Sequence, residues 1–427
     1  MLPGPDRIAH EPLRILLLSQ WWRPEPETSR GAPFARWLQD RGHEVKVLTG
    51  FPNYPTGKLY DGYKIRLRQW DSTCGVPVLR VPLYPNHDRS AVKRIANYLS
   101  FATSASLIGM PSVGDVDVVY ALATPPTAGI PALLNKVFRG VPFLFNITDI
   151  FPEAVTESGM MAEGWKKRMT ASFVDALCRV VYGSASELTT ISKGYRDMAI
   201  ERGLPAERVH AVYNWVDETL YRPVPRNEAL AAQLGLAGKF NFLYGGNFGP
   251  MQGIDMLIRA AAELQDLPGV QFVFVGTGQL EAEMRQLAQA CGANNVRFTG
   301  RVDQTVMPEV FAIADVLMMH LNESEYLRAT IPGKTQVYLA CGKPIVIAAR
   351  GESAGIVAES GAGIVAPPRE PHAIAEAMRA MHAKTPEERA ELARRARQTY
   401  VEQMALEHGA AQIEEILIRV AARGRKN

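Results

Sequence analysis

Short apolar runs alternate with amphipathic segments along most of the chain. The first such runs are LRILLLSQ (13–20), HEVKVLTG (43–50), VDVVYAL (116–122) and VPFLFNI (141–147). Runs of this kind, bounded by turn residues, are typical of strands that are buried on both faces of a sheet. Helix-like segments lie between them. A strand, a helix and a further strand form the repeating unit of a parallel sheet, so the pattern predicts a doubly wound α/β fold.

The alternation is interrupted once. NWVDETLYRPVPRN (214–227) carries two prolines and is typical of a linker. The strand-like runs of a second series then cover 240–247, 270–278, 296–302, 314–321, 344–350 and 361–367. The sequence therefore predicts an N-terminal domain over 1–214 and a C-terminal domain over 215–400. A last helical segment, 401–427, is expected to cross back to the first domain.

The composition narrows the class of protein. The chain of 427 residues is 47% hydrophobic and 21% charged, which suits a soluble protein with more than one buried core. Its formal net charge of +3 is too small for the basic stripe of a nucleic-acid-binding protein. The four cysteines are far apart, so we expect a reducing compartment, no disulfide framework and no metal site. We also expect no signal peptide, no membrane-spanning segment and no cofactor.

One segment departs from the pattern. RSAVKRIANYLSFATSASLIGMPSVG (89–114) is too apolar for a free surface and too rich in Ser and Thr to span a bilayer. Two interpretations stay open: the helix belongs to the core, or it lies on a membrane surface with its basic end toward anionic headgroups. The basic and apolar residues concerned are Arg89, Lys93, Arg94, Tyr98, Leu99, Phe101, Leu107 and Ile108.

Glycine-rich turns follow several predicted strands in the second half. GGNFGPMQG (245–253), VGTG (275–278) and FTGR (298–301) each separate a strand from a helix, and IPGK (331–334) opens another helix. Glycines let the backbone approach a ligand closely, and helix N-termini favour an anion. In an open parallel sheet these loops meet at the carboxyl edge, where such folds bind ligands. The pattern therefore predicts an anion site at that edge.

Lys334 stands at the beginning of a predicted helix, where the helix dipole disfavours a cation. A bound diphosphate would explain this position, because it needs a fixed cation as well as backbone N–H groups. A solvated surface lysine is the alternative. The preceding Pro332 and Gly333 favour the anion-binding interpretation.

Together these motifs resemble a known family. The order GNFGPMQG, VGTG, FTGRV, ADV and IPGKTQVYLACGKPIV is similar to the donor-binding half of the retaining glycosyltransferases of family 4, which have the GT-B fold. The N-terminal half, with NITDIFPEAV and YNWVD, resembles the bacterial branch that assembles O-antigen, capsule and colanic-acid-type polysaccharides. The resemblance covers nearly the whole chain.

The resemblance implies two Rossmann-like domains facing across a cleft, with a nucleotide-diphosphate sugar in the second and the acceptor in the first. It implies metal-free transfer, with retention, of an N-acetylated or deoxy amino sugar from a UDP donor onto a polyprenyl-diphosphate-linked oligosaccharide. Such an enzyme is expected in the cytoplasm, peripherally associated with the inner membrane. The implied donor-binding residues are Ser29, Arg30, Gly31, Asn247, Gly249, Gln252, Gly276, Arg301, Val302, Glu325, Arg328, Thr330 and Ile331.

The chain departs from the family pattern at this donor site. Many members carry a Glu-x7-Glu motif, but its two positions are Ala329 and Val337 here. Many members also place an Arg and a Lys in the first glycine-rich loop, where this chain has Asn247 and Gln252. Lys334 is therefore the clearest cation for a donor diphosphate.

Two acids in the first domain are candidates for catalysis beside Lys334. Asp149 and Glu153 follow a predicted strand and could orient an acceptor hydroxyl or accept its proton. A helix N-cap at Asp149, with Glu153 in the first turn, is the alternative. Arg301 and Arg328 are candidates for a second cation at the diphosphate.

Two further functions stay open from the sequence. A nucleotide-sugar 2-epimerase of the same fold would need carboxylates and a histidine in the cleft, and His320 lies at a predicted strand end. A non-catalytic sugar-nucleotide-binding protein would agree with the missing glutamates. Sugar transfer to a lipid-linked acceptor is the leading hypothesis, because the combined motifs match it along the whole chain.

Overall fold

The computed structural model describes residues 11–26, 29–87, 90–122, 125–151, 153 and 164–424. The chain divides into two compact units. The first comprises Met1–Tyr213 together with Gly409–Asn427, and the second comprises Asn214–His408. Each unit contains one mainly parallel sheet with helices between its strands. The predicted class, α/β with two Rossmann-like units, is therefore confirmed.

The sheet of the first unit has eight strands in the order β3-β4-β2-β1-β5-β6-β7-β8. Its strands are β1 (Arg14–Leu18), β2 (Glu44–Gly50), β3 (Gln69–Thr73), β4 (Val76–Val81), β5 (Val118–Leu122), β6 (Phe143–Ile147), β7 (Glu187–Thr190) and β8 (Val209–Ala211). Neighbouring strands are parallel except β3 and β4. Every residue of β5 and β6 is buried, which explains their continuous apolar sequence.

The hairpin of β3 and β4 at the sheet edge was not predicted. Along β3, half-buried residues alternate with exposed ones, so its sequence QWDST contains no apolar run. The turn consists of Cys74 and Gly75, which both have positive φ, 53° and 82°. Two successive residues with positive φ are what a tight two-residue hairpin turn requires. At this edge the turn residues therefore indicate the hairpin better than the hydrophobic pattern of β3 does.

The helices of the first unit form a layer on each side of its sheet. They are α1 (Ala32–Asp40), α2 (Ala91–Ser104, continued by Ala105–Gly109 and Met110–Ser112), α3 (Gly129–Arg139), α4 (Trp165–Ser184) and α5 (Lys193–Glu201). The chain crosses the sheet in one direction from β1 to β2 and in the other from β4 through β5 and β6 to β7. Because such crossovers are right-handed, α1 lies on one face, and α2, α3 and α4 lie on the other.

The sheet of the second unit has six strands, all parallel, in the order β11-β10-β9-β12-β13-β14. They are β9 (Phe240–Gly245), β10 (Val270–Val275), β11 (Val296–Gly300), β12 (Val316–His320), β13 (Ile345–Ala348) and β14 (Gly363–Ala366). The helices are α6 (Glu228–Leu234), α7 (Ile254–Ala262), α8 (Glu281–Ala290), α9 (Met307–Ile313), α10 (Glu325–Ala329), α11 (Gly333–Ala340), α12 (Glu352–Ser360), α13 (Pro371–His382) and α14 (Pro386–Gln403). Its strands match the second series of apolar runs in the sequence.

The last helix, α15 (Leu406–Gly424), contributes its residues from Gly409 onward to the first unit. Buried Glu414 accepts a hydrogen bond from Arg41 Nε at 2.8 Å and lies 2.9 Å from His43 Nε2. Burial alone would raise the pKa of Glu414, but the hydrogen bonds from His43 and Arg41 hold it below its ordinary value. The helix is thus fixed to the first unit through a buried carboxylate that stays charged.

Candidate functional site

The candidate site is a cavity at the carboxyl edge of the second sheet. β9, β10 and β11 end at this cavity, and α11 forms a further wall of it. The volume is about 460 Å³. The lining residues are Tyr221, Gly245, Gly246, Asn247, Val275, Gly276, Thr277, Arg301, Val302, Gln304, Met307, Phe311, Lys334, Val337 and Tyr338. All of them belong to the second unit.

Lys334 is held in this cavity by neutral groups. Its Nζ donates hydrogen bonds to the Tyr244 hydroxyl at 2.8 Å and to Gln252 Oε1. The same atom lies 4.1 Å from the centre of the Tyr244 ring, within the range of a cation–π contact. The Tyr244 hydroxyl in turn donates to the carbonyl oxygen of Asn247 at 2.8 Å. The ammonium group is therefore bound to the first glycine-rich loop.

The charge of Lys334 has no acidic counterpart in the described part of the chain. Burial lowers the pKa of its ammonium group to about 7, and no neighbouring carboxylate offsets that effect. A buried cation without a counter-ion is unfavourable, and an anion that enters the cavity removes this cost. The arrangement is therefore suited to a phosphate or diphosphate ligand.

Backbone contact between two loops shapes the cavity. Gly246 and Gly276 both have positive φ, 151° and 137°. A Cβ atom on Gly276 would lie 1.9 Å from the carbonyl oxygen of Gly246. Only glycine fits at such a contact. The close approach that the glycine-rich pattern predicted is here an approach of one loop to the other.

The wall formed by α11 combines a fixed tyrosine with an apolar position. The Tyr338 hydroxyl accepts a hydrogen bond from Gly245 N at 2.9 Å and donates one to Gly245 O at 3.3 Å, which fixes the end of β9. Val337, where the family often has a glutamate, lines the cavity beside it. The polar groups across from this wall include Gln304, which hydrogen-bonds to Tyr221. The sequence analysis missed Tyr338, although it lies one helical turn after Lys334 on the same face of α11.

The cavity brings together only part of the predicted donor set. The predicted residues that line it are Asn247, Gly276, Arg301, Val302 and Lys334. Gln252 contacts Lys334 without lining the cavity. The other predicted residues of this unit, which do not line it, are Gly249, Glu325, Arg328, Thr330 and Ile331. Arg328 is ion-paired with Glu323, and the Thr330 hydroxyl donates to the carbonyl oxygen of Tyr326 at 2.7 Å. A role of this second group in donor binding stays a prediction.

The predicted residues at the start of α1 lie in the first unit. Ser29 is half-buried, and Gly31 is the N-cap of α1. Arg30 is 1% exposed and donates a hydrogen bond to the carbonyl oxygen of Val212 at 2.9 Å. Its guanidinium group also interacts with buried Tyr120. Arg30 therefore serves the packing of its own unit, and its contact with a donor phosphate stays a prediction.

The two predicted acids of the first unit have different surroundings. Asp149 is half-buried just beyond the end of β6. Glu153 is ion-paired with Arg202, which also donates to the carbonyl oxygen of Phe151 at 2.5 Å. The charge of Glu153 is thus balanced within the unit. Asp149 is the first candidate for a contact with an acceptor, because it directly follows the carboxyl end of β6.

A polar network that the sequence analysis missed joins the loops after β1 and β2. Glu25 is 2% exposed and accepts hydrogen bonds from the backbone N–H groups of Trp22, Asn53 and Tyr54 at 3.0, 2.7 and 2.8 Å. Burial raises the pKa of Glu25 to about 7 even though these donors favour its charged form. Trp21 stacks on Tyr54 with 4.4 Å between ring centres. Glu25 thus holds two loops together at the carboxyl edge of the first sheet.

Helix α2 is attached to the same loops by Asn97. The buried Asn97 side chain accepts a hydrogen bond from Gln20 Nε2 at 2.6 Å. It donates to Asn53 Oδ1 at 3.3 Å and to the carbonyl oxygen of Tyr84 at 2.6 Å. The inner face of α2 is therefore part of the network at the carboxyl edge of the sheet.

The outer face of α2 is apolar and open to solvent. Val92, Ile95 and Leu99 are 76%, 37% and 39% exposed, and Leu107 just beyond the helix is 72% exposed. The membrane interpretation would place Phe101 on this side, but Phe101 is fully buried one turn after Asn97. The two sequence interpretations thus apply to different faces of one helix. Arg89 lies outside the described residues.

His320 is buried, and both of its ring nitrogens lie close to backbone groups. Its Nδ1 lies 3.1 Å from the carbonyl oxygen of Gln252, and its Nε2 lies 3.3 Å from the backbone N–H of Arg369. These partners fit a neutral ring with the proton on Nδ1, and burial lowers the pKa of His320 to about 4. Both nitrogens are therefore occupied by backbone groups, which does not support a catalytic histidine of an epimerase.

The described residues contain no group of three or more His, Cys, Asp or Glu side chains that could hold a metal ion. No helix among them is long and apolar enough to cross a bilayer.

Comparison with known proteins identifies the family. The family model described as glycosyl transferases group 1 matches residues 227–399, and the glycosyl transferase 4-like domain matches residues 32–215. WcaI of Escherichia coli K12, named as a colanic acid biosynthesis glycosyl transferase, is 30% identical over 321 residues, which are 73% of this chain and 77% of WcaI. WbjE of Pseudomonas aeruginosa, named as a glycosyltransferase, is 26% identical over 262 residues, 61% of this chain and 64% of WbjE.

A solved structure supports the fold. The crystal structure of Anabaena Alr3699/HepE in complex with UDP and glucose matches with a TM-score of 0.66 and 20% identity, covering 95% of this chain and 99% of that one. The chain belongs to the group 1 glycosyltransferases and has their two-unit GT-B architecture. It is a glycosyltransferase.

Proposed function

We propose that this glycosyltransferase moves a sugar from a nucleotide-diphosphate donor, with retention of configuration, onto a lipid-linked oligosaccharide during assembly of a cell-surface polysaccharide. The donor occupies the cavity around Lys334. We take UDP as its nucleotide and an N-acetylated or deoxy amino sugar as the transferred group. The acceptor is linked to polyprenyl diphosphate and binds the first unit.

One observation carries the proposal: a cation without an acidic partner among the described residues lines a cavity at the carboxyl edge of the second sheet. When the bond between sugar and diphosphate breaks, negative charge accumulates on the leaving diphosphate. A positive charge fixed next to that group stabilises the transition state more than the ground state. Arg301, which lines the same cavity, is the candidate for a second cation.

The relatives support this assignment. WcaI and WbjE are named as glycosyltransferases, and WcaI is named for colanic acid biosynthesis. The HepE structure of the same fold contains UDP and glucose. These names favour a UDP-sugar donor and a polysaccharide product for this chain as well.

The first unit offers groups for an acceptor at its carboxyl edge. Asp149 follows β6, and the loops after β1 and β2 present the stacked rings of Trp21 and Tyr54. Aromatic faces pack against sugar rings, and a carboxylate can orient or deprotonate a hydroxyl. We therefore assign Asp149 as the residue that contacts the acceptor hydroxyl. Glu153, which is ion-paired with Arg202, is the second candidate.

The acceptor is anchored in a bilayer, and we propose that the first unit docks on that surface. Helices α2, α3 and α4 lie side by side on one face of the sheet. Their exposed large apolar side chains are Val92, Ile95, Leu99, Val137, Phe138, Met169, Phe173 and Val180. Lys93 at the start of α2 is exposed beside them. Apolar side chains flanked by basic ones suit an anionic membrane surface, as expected for a peripheral protein of the inner membrane.

The direct test of the donor site compares binding of uridine, UMP and UDP by calorimetry. The wild type should bind UDP most tightly, and Lys334→Ala should remove the preference for UDP over uridine. Transfer should persist in EDTA, because Lys334 rather than a metal ion neutralises the diphosphate. A folded Lys334→Ala variant with an unchanged UDP preference would contradict the assignment.

A further inference from the structure

A second cavity, in the first unit, has a strongly basic wall. It has a volume of about 640 Å³ and lies where α3 and α4 end and β6 and β7 begin. Four of its lining residues are basic: Lys136, Arg139, Arg208 and Arg423. None of the described residues that line it is acidic. The cavity therefore lies at the opposite edge of the sheet from the acceptor groups.

Two of these cations contact backbone carbonyl groups, and Lys136 Nζ also lies 5.9 Å from the centre of the Phe143 ring. Lys136 Nζ donates to the carbonyl oxygen of Ser184 at 2.8 Å, and Arg208 Nε donates to that of Ser186 at 3.2 Å. Across the described ranges, neither side chain forms an ion pair with a carboxylate. Carbonyl groups at a helix end favour a cation but do not cancel its charge. Burial and the nearby charge of Arg208 both lower the pKa of Lys136, as expected where positive charge accumulates.

The other two cations are only partly balanced. Arg423 Nη1 lies 3.1 Å from Glu187, but Arg419 is bound to the same carboxylate at 2.8 Å. Arg139 lies 3.5 Å from Asp115, whose side chain is 78% exposed. An exposed ion pair at that distance is weak, so Asp115 neutralises little of the charge of Arg139. The cavity therefore keeps a net positive charge.

Exposed apolar side chains flank this basic cavity. Val137 and Phe138, next in sequence to Lys136, are 67% and 79% exposed. On α4, which ends at the cavity, Val180 is 56% exposed one helical turn before Ser184. A cationic cavity beside an apolar surface is complementary to an amphiphile with an anionic head, and this combination would not be needed for a free phosphate ion.

We propose that this cavity binds the phosphate head group of an anionic phospholipid, while Val137 and Phe138 contact its acyl chains. The inference rests on the membrane docking proposed above and adds a discrete headgroup site to it. Lys136, Arg208 and Arg423 surround the phosphate. The site would fix how the first unit lies on a bilayer, independently of the nucleotide sugar.

The test uses a soluble lipid, so that a discrete site is separated from general attraction to a membrane. Dihexanoyl-phosphatidylglycerol, kept below its critical micelle concentration, is titrated into the protein and compared with dihexanoyl-phosphatidylcholine. Wild type should bind the anionic lipid saturably and about tenfold more tightly than the zwitterionic one. Lys136→Gln with Arg423→Gln should weaken that binding roughly 25-fold, since each basic residue at an anionic surface counts for about fivefold.

Three controls make the outcome decisive. Arg394→Gln with Arg395→Gln makes the same charge change on exposed positions of α14 and should leave lipid binding unchanged. Phe138→Ser should weaken lipid binding but not binding of inorganic phosphate. Circular dichroism melting shows whether each variant is folded. Equal binding of the two lipids by wild type, or full binding by the folded Lys136/Arg423 variant, would overturn the proposal.

Failure of this site and failure of membrane docking are distinguishable. Vesicles of phosphatidylcholine and phosphatidylglycerol test docking of the whole apolar face of α2, α3 and α4, whereas the short-chain lipid below its critical micelle concentration tests the cavity. Vesicle binding that persists without saturable binding of the short-chain lipid overturns only the headgroup site. Absence of vesicle binding in wild type overturns the docking proposal, and with it the basis of this inference.

Discussion

The two units share an architecture but differ in the side chains that they expose. Within the described ranges, the exposed large apolar residues of the second unit are Val365 and Val401. Those of the first unit are Ile65, Leu67, Trp70, Tyr84, Val92, Ile95, Leu99, Leu107, Val137, Phe138, Met169, Phe173 and Val180. The second unit has few such residues, and its cavity at the carboxyl edge of the sheet is lined by Lys334.

This difference is instructive because a parallel sheet needs only the inner faces of its helices. The residues on the outer faces can therefore vary with the binding partner of the unit. Soluble proteins rarely keep a large exposed apolar surface without a partner. In the second unit the outer faces are polar, as expected for a site that takes a soluble nucleotide sugar. In the first unit they are apolar on α2, α3 and α4, as expected for a unit that meets a lipid-linked acceptor.

The largest effect should come from Lys334→Ala. Losing a fixed cation next to the leaving diphosphate should reduce turnover roughly a thousandfold, about 4 kcal/mol of transition-state stabilisation. The measurement is release of UDP from a UDP-sugar in the presence of a lipid-linked acceptor. Vesicle binding should not change, because the substitution lies in the second unit. A variant that loses both activities would show that the two units are not functionally separate.

The next effect concerns the apolar face of the first unit. Val92→Ser, Ile95→Ser and Leu99→Ser together should weaken partition onto vesicles of mixed phosphatidylcholine and phosphatidylglycerol by about 2–3 kcal/mol, since each side chain loses part of its apolar burial. Vesicle sedimentation measures it. The matched control is Val365→Ser with Val401→Ser, which removes the exposed apolar residues of the second unit and should have no effect. Equal losses in both variants would contradict the comparison.

The sequence predicted both sheets because buried parallel strands are long apolar runs, and such runs are visible without tertiary information. Its glycine-rich loops and Lys334 also pointed to the carboxyl edge of the second sheet, where the structure has a cavity lined by Lys334. It could not separate the two faces of α2, because Phe101 and Leu99 are equally apolar and only the contact of Asn97 with Gln20 shows which side is inward. That contact joins residues far apart in sequence.

The same limit explains the residues that were missed. Tyr338 and Glu25 bind backbone groups of distant segments, Gly245 in one case and Asn53 in the other. Neither contact leaves a local motif. The loop position of Arg30 predicted a contact with an anion, and it gave no sign of the buried hydrogen bond that Arg30 donates to the carbonyl oxygen of Val212. The position of a residue in a loop indicates where its backbone lies, but it does not determine the direction or the contacts of its side chain.

A smaller effect should follow from Gly276→Ala in the second unit. The new Cβ would overlap the carbonyl oxygen of Gly246, so the loops after β9 and β10 must separate, at a cost of roughly 2 kcal/mol in the free energy of unfolding. UDP affinity should fall as well. Gly292→Ala is the matched control, because Gly292 also has positive φ but no atom near its Cβ position; it should cost only about 1 kcal/mol. Equal destabilisation by both would indicate that the loop contact is unimportant.

The smallest effect is a pH dependence that only the second unit should show. In the free protein, burial lowers the pKa of Lys334 to about 7 from an ordinary value of 10.5, so the side chain is mostly charged at pH 6 and mostly neutral at pH 8. A bound diphosphate favours the charged form, and binding above pH 7 must therefore take up a proton. UDP affinity should consequently fall about tenfold, or about 1.4 kcal/mol, between pH 6 and pH 8. Calorimetry at both pH values measures it. Lys334→Arg keeps its charge throughout this range, so its affinity should change only by the contribution of UDP's own titration, which wild type shares. If wild type and Lys334→Arg show the same pH dependence, Lys334 is not the group that meets the diphosphate, and the assignment of the donor to the cavity of the second unit loses its support.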